Sequence, residues 1–321
     1  MPWRLGINPP DRLPPLKSVL PSPGFFCVGL FVRGKSRFLR RLYRTCFALL
    51  GMRWARVGLI VVVFAGCKRR TLVTIKGSDT VLPVSQALVE AYLARHKAPL
   101  LNVTGGGSGV GIAALLHGDT DIAMSSRPLK LSEWLKFEQR RYHLIEDTVA
   151  WDVLAICVHP SLTLDRLTRA QIAAIYTGQV RNWKELGGPD LPILPYSRES
   201  SSGTFEFFRE HVLLGKDFAE GVRFIPATGM LMQSVSQTPG AIGYLGIAYV
   251  GPQVKVLRVA RDGDTVYYLP ARNRAELNRY PLARPLYYYY ERSQVEKLRP
   301  FLEFVHSPEG RAVVAQVGYV P

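Results

Sequence analysis

From residue 71 onward the chain repeats one arrangement of apolar and polar positions. Residues 71–76 alternate apolar and polar side chains with the period of a half-buried strand, and Gly77-Ser78-Asp79-Thr80 breaks the alternation. Leu82, Val84, Leu88, Val89, Tyr92 and Leu93 then recur at near-helical spacing, which predicts a helix to about His96. Leu100–Thr104 reads as a second strand, running into the glycine loop 105–112 and a helix through about His117. Asp121-Ile122-Ala123-Met124 is a third strand, followed by Ser125-Ser126-Arg127-Pro128 and a helix over about 132–141. Three strands in succession thus end in a loop of small polar residues that opens a helix.

The second half continues in kind. Residues 148–158 form a long apolar strand with Asp152 embedded in it, and Thr168 with Gln171 makes a capping box for a helix through Tyr176. Gly178, Asn182-Trp183 and Gly187-Gly188-Pro189 mark a loop. Strands are predicted at 191–196, 222–226 and 241–244, with helices at 205–214 and around 229–235. Residues 280–290 form a strand with tyrosines on both faces, and helices follow at about 294–305 and at Pro308–Val317. The four adjacent tyrosines, Tyr287 to Tyr290, sit among Pro and Leu with little basic interleaving, which favours packing over base stacking. The pattern is an α/β fold of sufficient length for two lobes.

Composition changes the picture mainly at the N-terminus. The 321 residues carry a formal charge of +16. Residues 1–66 hold 11 Lys and Arg against one acidic residue, Asp11, leaving 30 basic and 24 acidic residues in the remainder. The excess is therefore concentrated outside the globular part, and a nucleic-acid partner is not indicated. Met52-Arg53-Trp54-Ala55-Arg56, the apolar run 57–64 and Ala65-Gly66-Cys67 have the layout of an export signal. The run is too short for a permanent membrane span. This signal is complete from Met52, so residues 1–51 are expected to be an upstream extension and 52–66 the signal peptide, the alternative being an unusually long signal or an N-terminal anchor. Of the other cysteines, Cys27 and Cys46 precede the signal, and Cys157 lies in an apolar run as a buried strand residue. No disulfide and no metal spacing among Cys and His is expected.

The stretch with most chemistry is Ser197-Arg198-Glu199-Ser200-Ser201-Ser202-Gly203-Thr204. Hydroxyls and free N–H groups at a helix start, with a guanidinium a few residues upstream, suit a tetrahedral oxyanion. An ordinary N-cap accounts for the same serine and threonine. The loop 105–112 lacks the lysine of a P-loop and does not give GxGxxG, because Val110 stands where the third glycine belongs. What it offers is close backbone approach and the Ser108 hydroxyl at a helix start. In open α/β sheets ligands bind at the carboxyl ends of the strands, so these loops and residues 198–204 can converge on one anion.

These residues also carry a resemblance. The stretches 77–80, 105–112, 121–128, Ile175-Tyr176-Thr177-Gly178 with Asn182-Trp183, 198–204, 240–249, 280–286, Ser307-Pro308-Glu309-Gly310 and Gly318-Tyr319-Val320-Pro321 together resemble the phosphate-binding subunit of bacterial phosphate ABC transporters. That is a periplasmic-type solute-binding protein, and Ala65-Gly66-Cys67 resembles its lipobox, with Phe64 where leucine is preferred. The resemblance implies a type II periplasmic-binding-protein fold over 67–321. Lobe one is expected at about 71–149 and 250–321, and lobe two at about 150–249. It implies phosphate ligands at Ser78, Thr80, Ser108, Ser126, Arg127, Arg198, Ser202, Gly203 and Thr204. Cys67 would be lipidated. It implies no cofactor, a monomer, delivery to a permease, and location outside the cytoplasmic membrane. Where Arg127 stands, some members have an aspartate that accepts the proton of phosphate and rejects sulfate; Arg127 would instead be a second cation. Asp79 is then the nearest acceptor, with Asp152 second.

Two other classes compete. An enzyme, a serine hydrolase or phosphatase acting at Ser108 or Ser202, would need a general base; neither serine lies in GxSxG, and the six histidines show no fitting pattern. An anion sensor or adhesion module would use the same fold without a permease.

Overall fold

The computed structural model describes residues 72–321. The upstream extension, the signal segment, Cys67, Cys27 and Cys46 lie outside the described residues. The first part of the described chain alternates as its sequence pattern predicts: β1 (Leu72–Gly77), α1 (Leu82–Arg95), β2 (Leu100–Thr104), α2 (Ser108–His117), β3 (Ile122–Ser125) and α3 (Leu131–Gln139). Then come the long β4 (Leu144–Val158), β5 (Arg166–Thr168), α4 (Arg169–Tyr176), β6 (Leu194–Arg198), α5 (Gly203–His211), β7 (Arg223–Ile225), α6 (Thr228–Gln237) and β8 (Ala241–Gly246). The chain closes with β9 (Lys255–Val256), β10 (Arg258–Ala260), α7 (Arg274–Leu277), β11 (Ala283–Glu291), α8 (Val295–His306) and α9 (Pro308–Val317).

The main sheet runs in the order β2-β1-β3-β11-β4-β8-β6-β7, with β9 also on β4. Strand β4 belongs to both lobes. Its first part pairs antiparallel with β11 from Leu144 to Val153, and its last part pairs antiparallel with β8 from Leu154 to Val158. On either side of it the strands β1, β2 and β3, and β6, β7 and β8, are parallel within each lobe. Parallel strands joined by helices put their loops at one edge, and that edge faces the cleft.

The hydrophobic clusters divide at the same place. Lobe one packs Val73, Ile75, Leu88 and Tyr92 against Leu286, Tyr288, Phe301 and Val305. Lobe two packs Val153 to Val158 against Tyr176, Trp183, Phe208 and Tyr244. Val254, Leu257, Val259, Leu277, Tyr280 and Leu282 belong to this second cluster. The expected return to lobe one at residue 250 is therefore corrected: the chain re-enters lobe one at β11. The segment's own elements are only two to four residues long, too short to show a period, so sequence pattern could not assign them.

Other expectations fare as follows. Thr168 caps α4, its hydroxyl accepting from Gln171 N–H while Gln171 accepts from Thr168 N–H at 2.8 Å. The four tyrosines of β11 are all buried, Tyr288 and Tyr290 in one layer and Tyr287 and Tyr289 in another, because β11 is interior to the sheet and covered on both faces. Cys157 is fully buried, and burial pushes its thiol up to about 12, so it is inert as a nucleophile.

At the end of α8, His306 Nε2 meets the Asp147 carboxylate of β4 at 2.9 Å. That hydrogen bond raises the imidazole above its ordinary 6.5, against opposing burial and the charge of Arg311. A raised pKa in the folded state stabilises the protonated form, so the contribution is full below the unfolded value and is lost as pH rises through the folded one. His306→Gln should flatten this part of the pH profile. Urea midpoints at about pH 5.5 and about pH 8.5 should differ less in the variant than in the wild type, and an unchanged difference would show that the pair contributes nothing.

Candidate functional site

The cleft is floored by the strand ends of both lobes. The turn after β1 places Ser78 and Thr80, both buried, with Ser78 N–H on the Met124 carbonyl at 2.9 Å. The glycine loop places Ser108 at the start of α2, and the end of β3 places Ser126; their hydroxyls are 3.4 Å apart, and Ser126 N–H donates to Ser108 Oγ at 3.1 Å. Helices α1 and α2 both start without a side-chain cap. Such starts direct positive dipole ends and backbone donors towards the cleft.

From lobe two, β6 ends at Arg198 and α5 starts at Gly203. Ser202 caps α5, accepting from Thr204 N–H at 3.2 Å, so the N-cap and the anion readings of this stretch coincide. Because the Ser202 oxygen accepts there, its own proton is left to donate elsewhere. Thr204 reaches across the cleft: its Oγ1 lies 2.9 Å from Thr80 Oγ1. Gly203 sits against Ser108 and Ser126 so closely that a Cβ there would stand 2.2 and 2.6 Å from their hydroxyl oxygens. A second approach is backbone to backbone, Gly109 N–H donating to Ser201 C=O at 3.1 Å.

Arg198 is buried and heavily engaged. Its Nε donates to Ile225 C=O at 3.2 Å, its Nη2 to Pro226 C=O at 2.7 Å and to Asp79 Oδ2 at 2.6 Å, and its Nη1 to the Thr228 hydroxyl. The Arg198–Asp79 pair joins the two lobes. Asp79 Oδ1 also accepts from Gly106 N–H at 2.9 Å, and Tyr249 donates to the Asp79 carbonyl at 2.6 Å.

Arg127 departs from expectation. Its guanidinium makes a two-pronged pair with Glu133, Nη1 to Oε2 at 2.8 Å and Nη2 to Oε1 at 2.7 Å, and it does not join the hydroxyl cluster. Burial alone would raise the Glu133 carboxyl, but the Arg127 hydrogen bond, the Lys130 N–H and both cations hold it below the usual carboxylate range. The cause is local: Glu133 lies in the first turn of α3, within reach of a planar fork that matches its carboxylate. The same carboxylate accepts from Lys130 N–H at 2.8 Å, and Lys130 Nζ in turn reaches Glu206 of lobe two at 2.7 Å.

The cation that does stand beside the hydroxyl cluster is Arg284 of β11, which the sequence pattern did not single out. It is buried opposite Asp152 in the β4–β11 register, and donates to Asp152 Oδ2 from Nε at 3.1 Å and Nη2 at 2.9 Å. Nη2 also lies 3.0 Å from Thr204 Oγ1 and 3.4 Å from Thr80 Oγ1. Burial raises the Asp152 carboxyl against the pull of Arg284, whose charge favours ionisation. Within the apolar runs 148–158 and 280–290 Asp152 and Arg284 are the single charges, and buried charges are found paired, but the sequence does not say with which partner.

Among the described residues the Ser108 and Ser202 hydroxyls meet Ser126 and Thr204, and no histidine bonds to either. Among the described residues no group of His, Cys, Asp and Glu could hold a metal ion.

Comparison with known proteins agrees with this geometry. A model of the PBP superfamily domain matches residues 65–309. Protein SphX of Synechococcus elongatus is 31% identical over 266 residues, covering 79% of this chain and 78% of SphX. Phosphate-binding protein PstS of Pseudomonas aeruginosa is 32% identical over 262 residues, covering 76% of this chain and 81% of PstS. A Clostridium perfringens structure, described as a phosphate ABC transporter substrate-binding protein with bound phosphate, matches with a TM-score of 0.69 at 31% identity, covering 78% of this chain and 99% of that one. The chain belongs to the PBP superfamily and, within it, to the phosphate ABC transporter substrate-binding proteins.

Proposed function

We propose that this chain binds inorganic phosphate outside the cytoplasmic membrane and delivers it to an ABC permease, without chemistry on the ligand. The observation that carries this reading is the meeting of Thr80 and Thr204 at 2.9 Å across the cleft, with Gly203 closed on the Ser108–Ser126 pair and buried Arg198 paired to Asp79, the neighbour of Thr80. Hydroxyls from both lobes on one oxyanion favour the closed form, which a permease can read. Ser78, Thr80, Ser108 and Ser126 grip from lobe one, and Arg198, Ser202, Gly203 and Thr204 from lobe two. Arg127, spent on Glu133, supports the α3 start and is left out of the ligand set. Asp79 is the acceptor for the proton of phosphate: it is less enclosed than Asp152 and adjoins Arg198. Residues 52–66 act as signal peptide, residues 1–51 are an upstream extension, and Cys67 carries the lipid of a monomeric mature protein.

Each charge-assisted hydrogen bond contributes about 1.5–3 kcal/mol. Arg198→Ala should therefore weaken phosphate binding at least about tenfold by calorimetry, since about 1.4 kcal/mol already corresponds to that factor. Affinity equal to the wild type would remove Arg198 from the site. Gly203→Ala tests closure separately. A methyl group there meets Ser108 and Ser126 of the opposite lobe, so lobe packing and melting temperature should hold while phosphate no longer drives compaction in X-ray scattering. Ligand-driven compaction as in the wild type would contradict the closed geometry. Cys67→Ser should move the protein from the membrane fraction to the soluble one; retention in the membrane would refute the lipid anchor.

A further inference from the structure

We infer that Arg284, held by Asp152, is a positioning residue of the anion site: it turns the Thr80 and Thr204 hydroxyl protons towards the ligand and thereby ties binding to closure. The inference rests on the phosphate-binding reading and adds a specific charge to it.

The argument begins with where Arg284 comes from. It lies on β11, one step into the strand that re-enters lobe one, opposite Asp152 on β4, the strand both lobes share. It is therefore fixed to the junction and to neither loop set. Asp152 is fully buried and holds it from below, while its own Oδ1 accepts from Ile247 N–H at 3.1 Å. The Phe207 ring of α5, in lobe two, lies 5.1 Å from the guanidinium carbon. The side chain is thus clamped by both lobes.

Its Nη2 then points at two oxygens from opposite sides of the cleft, Thr204 Oγ1 at 3.0 Å and Thr80 Oγ1 at 3.4 Å. Arginine has donors and no acceptor; one Nη2 hydrogen goes to Asp152 and the other lies between the two threonine oxygens, which share it as acceptors, Thr204 the nearer, and aim their own protons elsewhere. Between themselves the two hydroxyls can share one proton, which leaves the other seeking an acceptor in the cleft. An oxyanion lets both donate outward. The Thr80 backbone is fixed as well, its carbonyl accepting from Tyr319 Oη. A further sign of an incomplete donor set is Arg284 Nη1, which is buried and has no hydrogen-bond partner among the described residues. Buried donors are rarely left unpaired, and a guanidinium so placed calls for an oxygen.

The arrangement also fixes the charge. Arg198 is paired with Asp79 and Arg284 with Asp152, so the site presents two cations whose charges are already shared before the anion arrives. Removing Arg284 and removing the charge of Asp152 should then have opposite consequences for an anion. A merely structural pair would respond in the same direction to both.

The test is calorimetric titration with inorganic phosphate, alongside melting temperature. Arg284→Met should bind at least about tenfold more weakly, as expected for loss of a cation beside an anion. Asp152→Asn removes a negative charge and, with its amide oxygen turned to Arg284, keeps the hold on the guanidinium at the cost of the Ile247 hydrogen bond; it should bind no more weakly than the wild type, with a lowered melting temperature. Equal weakening in both variants, in step with their melting temperatures, would overturn the inference. If Met at 284 leaves no folded protein, Arg284→Lys takes its place; a point charge cannot serve both hydroxyls and Asp152, so a loss of about threefold or more is expected. Wild-type affinity in Arg284→Lys would overturn it. No binding by the unaltered protein would remove the phosphate reading and this inference together, whereas binding that Arg284 variants leave untouched removes this inference alone.

Discussion

A guanidinium and a carboxylate are buried where the two lobes share a strand, and the surrounding structure is arranged to make that tolerable. Desolvating Arg284 and Asp152 costs several kcal/mol for each ion, and their attraction offsets this only when the remaining donors and acceptors are used. Asp152 is completed by Ile247 N–H; Arg284 turns Nη2 to two threonine hydroxyls and keeps Nη1 without a partner among the described residues. Hydrophobic residues of similar volume in place of a buried ion pair are often neutral or stabilising, so stability alone does not explain the pair. What the pair adds is position, because β4 and β11 are the strands through which chain passes between lobes. A charge anchored to both keeps one place relative to the cleft floor, whichever way the loops move.

The ligand loops depend on that floor in a specific sense. Three helices begin at the cleft, and two of them start without a side-chain cap. An uncapped start is a small loss of stability, typically about 1 kcal/mol, that an anion can make good. The third start is capped by Ser202 in a way that frees its hydroxyl proton. Close approach of the lobes then requires that nothing project between them. Gly203 meets that requirement, and Gly107, at φ +96, would set a Cβ 2.6 Å from the Ser201 carbonyl. These glycines mark interlobe contact more than flexibility of the chain.

Much of this was legible in the sequence because its signals are local. Alternation marked β1, a capping box marked α4, and the serine-rich stretch 198–204 announced a helix start with a nearby cation. What was illegible depends on contacts distant in sequence. Arg127 read as a ligand from its place after Ser126, yet the deciding fact is the orientation of Glu133 within the next helix. Arg284 was not singled out, since its partner Asp152 is 132 positions away. The segment after residue 250 was misassigned because its strands are two or three residues long, and only pairing and burial reveal which lobe they complete.

The pairing of Arg127 with Glu133 is itself informative. A second free cation after Ser126 would have favoured any dianion and left selectivity to shape alone. Pairing it with Glu133 cancels that charge locally, and the carboxylate also tethers Lys130 N–H at the start of α3. Lys130 then extends to Glu206 in the first turn of α5, across the cleft. The partly exposed Lys130 makes this a weak interaction by itself, screened by salt. Its placement on a rigid Arg127–Glu133 platform reduces the entropy lost in forming it, so the pair adds to closure at the rim while Arg198 and Arg284 act at the floor. The cation that follows Ser126 thus pairs with Glu133 at the start of α3, and the buried cation beside Thr80 and Thr204 comes from the junction strand.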